Sequence, residues 1–62
     1  MFYDVKLSNG IDEHEMKIQA RSMEVLIDKL EPLMDELDFD VADAWYSEGS
    51  KHAGKQVLHY EL

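Results

Sequence analysis

Cysteine is absent from this 62-residue chain, which excludes a disulfide framework and thiolate metal ligation and makes the reducing cytoplasm the expected compartment. Proline occurs once, at Pro32, and glycine three times, so there are few places at which an element must break. No apolar run exceeds three residues, and Asp4, Lys6, Asp12, Glu13 and Glu15 interrupt the first twenty positions. Neither a secretory signal core nor a membrane span is expected. Bases are the scarcest charged type: six Lys and Arg stand against fourteen Asp and Glu, a formal charge of −8. A surface of that sign repels phosphate and attracts basic proteins, and salt weakens that attraction. The expected partner is therefore a basic protein and not nucleic acid itself.

The residues that are present imply a folded domain. A hydrophobic fraction of 45% with regular spacing is too high for a disordered acidic segment. One domain over residues 1–62 is expected, near the size at which a single core barely offsets chain entropy, so homodimerisation is a natural further support.

"MFYDVKLS" alternates with period two, Met1, Tyr3, Val5 and Leu7 against Phe2, Asp4, Lys6 and Ser8, which predicts a strand. Asn9-Gly10 follows, the dipeptide best suited to a two-residue type I′ hairpin turn. That turn would place Ser8 opposite Ile11, Val5 opposite His14, Tyr3 opposite Met16 and Met1 opposite Ile18. On the other face it would set Lys6 against Glu13, and Asp4 against the like charge of Glu15.

Beyond Ser22, a natural N-cap, the period becomes helical: Met23, Leu26, Ile27, Leu30, Leu33, Met34 and Leu37 form one stripe. Pro32 is expected to kink or divide this helix, one solution being a second segment that begins with Pro32 at its first position. Asp35 and Glu36 would then lie near a helix N-terminus, where negative charge is favourable. "FDVADAWYSE" and "KQVLHYEL" predict two more strands joined by a loop around Gly49–Gly54. Ala42, Ala44 and Tyr46 share one face of the first, with Val41, Asp43, Trp45 and Ser47 opposite. The small alanines would leave room for the helix. In the last strand Leu58, Tyr60 and Leu62 oppose Val57, His59 and Glu61. The fold class is α+β: ββαββ, a largely antiparallel four-stranded sheet with one Pro-kinked or split helix packed on one face. Phe2, Val41, Trp45 and Val57 are candidates for an apolar patch on the uncovered face, a dimer or partner surface. If the third strand is turned the other way, Trp45 belongs to the core instead.

Catalytic and cofactor signatures fail on inspection. "GSKHAGKQ" matches the start of a phosphate-binding loop, but Gln56 replaces the magnesium-binding hydroxyl and a strand follows where a helix N-terminus is needed. Asp38, Asp40 and Asp43 suggest a calcium loop, yet Asp43 takes the place of the turn glycine and Gly49 that of the bidentate glutamate. His14, His52 and His59 lack zinc spacing; His14 suits the edge of the core and His59 a solvent-facing strand position. Ser8, Ser22, Ser47 and Ser50 lie in no nucleophile motif. No enzyme, metal or cofactor is expected.

What remains is the acidic run "LEPLMDELDFDVADAW", with six carboxylates between Glu31 and Asp43 and no base among them. Carboxylates three or four apart on a helix lie about 5–6 Å from one another, close to the distance between phosphates along a nucleic-acid strand. Asp28, Glu31, Asp35 and Asp38 fall on one helical line, with Glu36, Asp40 and Asp43 extending the charge. In size, acidity and simplicity the chain resembles the small phage-encoded inhibitors of bacterial defence, the anti-CRISPR and anti-restriction proteins, several of which are DNA mimics. The resemblance implies a non-enzymatic inhibitor that docks an acidic surface on a basic, nucleic-acid-binding site. The alternative is a small structural or assembly module, a homodimer in which charge serves solubility.

Overall fold

The computed structural model describes residues 1–47 and 54–62; the expected loop with Lys51 and His52, and most of the phosphate-loop match, lie outside the described residues. The order is β1 (Phe2–Ser8), β2 (Glu13–Gln19), α1 (Met23–Leu37), β3 (Val41–Tyr46) and β4 (Gln56–Glu61). The strands form one antiparallel sheet in the order β2-β1-β3-β4, the expected ββαββ architecture. Because β1 is antiparallel to both neighbours, β2 and β3 run in the same direction with β1 between them. The connection must therefore traverse the full length of the sheet. Fifteen helical residues span about 22 Å and seven strand residues about 23 Å, so α1 is matched to that return.

The β1–β2 hairpin departs from the expected register by two residues. Tyr3 faces Ile18, Val5 faces Met16 and Leu7 faces His14, leaving Asn9–Asp12 as a four-residue loop. The Asn9 side chain accounts for this: its Oδ1 accepts the backbone N–H of Ile11 at 3.0 Å and of Asp12 at 2.8 Å, and its Nδ2 donates to the Asp38 carbonyl at 3.2 Å. Gly10 supplies the positive φ of 85° within the loop. Charge favours the same register. The expected Asp4–Glu15 opposition is replaced by Asp4 opposite Lys17 and Lys6 opposite Glu15, while Lys6 still reaches Glu13 diagonally at 3.3 Å. A two-residue slip preserves the faces of a strand, so the apolar side remains apolar.

Helix α1 is continuous from Met23 to Leu37 with Pro32 inside it, which overturns the expected division. Its N-cap is Ser22, whose Oγ accepts the Val25 N–H at 3.3 Å. At the other end Asp38 adopts the left-handed conformation, φ 61°, and the Phe39 N–H reaches the Met34 carbonyl at 2.9 Å, closing the helix in a Schellman-type turn. Pro32 is exposed, so the carbonyl that loses its partner there, that of Asp28, faces the solvent side of the helix. Continuity also reverses the expectation for Asp35 and Glu36. They lie near a C-terminus that has no base in its last turn, where the dipole opposes each by about 0.3–1 kcal/mol.

Leu26, Leu30 and Met34 are fully buried against Val5, Leu7, Ala42 and Ala44, with Tyr3 and Ala20 completing the core. The alanines of β3 do lie beneath the helix. Leu37 ends the stripe exposed, at the last residue of the helix. Trp45 is half-buried but outside this cluster, on the face that α1 does not cover. A register shift between Ala44 and Trp45 interrupts the β3–β4 ladder, pairing Trp45 with Gln56. Val57 consequently packs against the core, and does not join Phe2, Val41 and Trp45 on the open face.

Candidate acidic surfaces

The acidic run is divided between two sides of the molecule. On the outer side of α1, Asp28, Glu31 and Asp35 are exposed along one line that Asp38 and Asp40 prolong past the helix end. Glu36 is exposed one step round the helix from this line. Glu24, four residues before Asp28, joins the ridge although it lies outside the dense stretch of the sequence; the i, i+4 spacing is the signal that identifies it. Asp35, Asp38 and Asp40 meet around a cleft of about 420 Å³. Met34 and Phe39 contribute apolar wall, and the exposed Ile11 and Leu62 stand at its rim.

One ridge carboxylate also supports the fold. The Tyr60 Oη donates to Glu31 Oε1 at 2.5 Å, joining α1 to the edge strand β4. This bond, with a smaller contribution from burial, raises the Tyr60 phenol above its ordinary value of 10.0. The protonated phenol is favoured by folding, so its contribution is complete below pH 10.0 and is lost as pH rises through the higher folded value.

Asp43 lies on the opposite side. Ala42 and Ala44 face α1, so the alternation of β3 directs Asp43 to the open face together with Val41 and Trp45. That face carries three cross-strand rows: Lys17, Asp4, Trp45 and Gln56 form one, Glu15, Lys6, Asp43 and His59 the next, and Glu13, Ser8, Val41 and Glu61 the third. His59 bridges two carboxylates, its Nδ1 2.5 Å from Asp43 Oδ1 and its Nε2 3.1 Å from Glu61 Oε1, and Gln56 Nε2 donates to the same Asp43 oxygen at 2.9 Å. This cluster was not singled out by the linear density of acids. Its signal is the shared alternation of His59 and Glu61.

The hydrogen bond to Asp43 is the largest of the effects that raise the His59 imidazole above its ordinary 6.5, followed by the bond to Glu61. A raised histidine stabilises the fold most below pH 6.5, and that contribution disappears as pH rises through the folded value. An NMR titration of the imidazole is expected to show a midpoint above 6.5, and Asp43→Asn should move it down. A wild-type midpoint at or below 6.5 would show that the bridge does not hold in solution.

His14 is exposed on β2 with its ring stacked on Phe39, centroids 6.4 Å apart, at the edge of the core as expected. Among the described residues no helix is long and apolar enough to cross a membrane, and no group of three or more His, Asp or Glu side chains is arranged to hold a metal ion. The shared features of the site are thus charge and shape: an acidic helical ridge on one side and a mixed, acidic sheet face with a tryptophan on the other. In comparisons with known proteins no family model, no curated protein and no solved structure matches the chain.

Proposed function

We propose that this chain is a non-enzymatic binding protein whose acidic helix ridge occupies a basic, nucleic-acid-binding surface of a partner protein and blocks it, as anti-CRISPR and anti-restriction inhibitors of the DNA-mimic type do. The observation that carries the reading is the line Asp28, Glu31, Asp35, Asp38, continued by Asp40 and ending in a last helical turn without a base. The helix dipole makes this concentration of negative charge unfavourable for the isolated fold, while a cationic partner would relieve it. Within the helix, residues three or four apart hold their Cβ atoms about 5–6 Å from one another, a spacing that suits a surface that normally receives phosphates.

Isolation of the bound partner by pull-down and mass spectrometry, followed by a salt titration of the purified complex, tests the reading. Affinity is expected to fall steeply as ionic strength rises. The triple change Asp35→Asn, Asp38→Asn and Asp40→Asn should weaken binding by roughly tenfold, at about 0.2–1 kcal/mol for each surface charge. The bound chain should also displace nucleic acid from its partner. Affinity that is unchanged by salt or by the triple change would overturn the proposal.

A further inference from the structure

The open face of the sheet carries a different inference, independent of the helix ridge. Five carboxylates on this face, Asp4, Glu13, Glu15, Asp43 and Glu61, stand against Lys6 and Lys17 in the three cross-strand rows. Lys6 and Glu13 pair at 3.3 Å and His59 bridges Asp43 and Glu61, which leaves Asp4 and Glu15 as the carboxylates beside Trp45. There a shallow depression of about 570 Å³ is lined by Asp4, Lys6, Glu15 and Trp45, and the described residues leave it open. Phe2 is 49% exposed at one end of the same face. An aromatic side chain flanked by carboxylates in a concave setting is a receptor for a cation with an apolar stem: the indole face attracts the charge, and the carboxylates bind the guanidinium or ammonium donors.

We propose that this face is a second docking surface, and that its occupant is an arginine- or lysine-bearing segment of a partner protein. Charge decides between this occupant and a second copy of the chain. Two such faces apposed would each bring five carboxylates against Lys6, Lys17 and the carboxylate-bound His59, a net like charge that a small apolar patch of Phe2, Val41 and Trp45 would have to overcome. A cationic segment meets the same surface with complementary charge.

Trp45 is the single tryptophan of the chain, so its emission reports on this face alone. The test titrates the full chain with hexa-arginine at low and near-physiological salt, reading Trp45 fluorescence and backbone amide shifts, with hexa-glutamate as control. A saturable change in Trp45 emission is expected with hexa-arginine only. The pair Asp4→Asn and Glu15→Gln should weaken that response roughly tenfold, whereas the ridge pair Asp28→Asn and Asp35→Asn should leave it within about twofold. Trp45→Phe, read by amide shifts, should weaken binding about two- to fivefold. Emission that does not respond, shifts confined to α1, or a response abolished by the ridge pair would overturn the proposal. So would dilution-dependent shifts around Trp45 without peptide, accompanied by a sedimenting dimer, because the occupant would then be a second copy. Loss of ridge binding with the Trp45 response intact would defeat the proposed function and leave this inference standing, and the reverse result would do the opposite.

Discussion

Leu30→Ala is expected to remove about half of the stability of the fold. Leu30 is fully buried at the middle of α1, within the cluster that joins the helix to β1 and β3. Removing its isobutyl group forfeits the transfer energy of the lost atoms and leaves a cavity, together about 2–5 kcal/mol. A domain of 62 residues has a total stability of only about 3–9 kcal/mol. Urea denaturation followed by far-UV circular dichroism should therefore show a midpoint that moves far toward zero, or an incomplete native baseline. A midpoint shift worth less than about 1 kcal/mol would mean that the helix is not seated on the sheet as described.

Pro32→Ala, two residues along the same helix, should act in the opposite direction. Pro32 is exposed and its ring packs into no core, so its replacement creates no cavity. What changes is the backbone: an N–H returns to donate to the Asp28 carbonyl, and the clash of the ring with that carbonyl disappears. The helix-interior penalty of about 3 kcal/mol is partly offset because proline also restricts the unfolded chain, by about 0.4–1 kcal/mol. A net gain of about 1–3 kcal/mol is expected, and at about 4–8 °C per kcal/mol for a domain of this size the thermal midpoint should rise clearly. An unchanged or lower midpoint would mean that the chain needs a break at Pro32 after all. The variant leaves every ridge carboxylate in place, so it also separates stability from binding: it should melt higher and bind a cationic partner as the wild type does.

Most of the strand and helix faces are encoded locally, by periods of two and 3.6 that depend only on neighbouring side chains; Val57, turned to the core by the register shift between Ala44 and Trp45, is an exception. Local encoding is why the faces of β1 and β2 are correct in the sequence reading even though the register is not. The register depends on whether the Asn9 side chain folds back onto the N–H groups of Ile11 and Asp12, and on whether Asp4 meets Glu15 or Lys17. Asn-Gly alone satisfies several turns, and only the assembled hairpin selects among them.

Pro32 shows the same division. Its intrinsic penalty argues for a break, but the unbroken stripe from Leu26 through Met34 buries Leu30 and Met34 on either side of it, and that burial outweighs one exposed, unmade hydrogen bond. The acidic run, continuous in sequence, is cut by the left-handed turn at Asp38 and by the passage of β3 beneath the helix. Its first part becomes a ridge on α1, and Asp43 emerges on the far side of the sheet beside His59. The sequence by itself determined the charge, the element order and the apolar faces of β1, β2 and α1, but not the placement of Val57 in β4. Tertiary structure alone decided which carboxylates share a surface, because that depends on where the chain reverses and on which strands become neighbours, and neither is set within the span of one element.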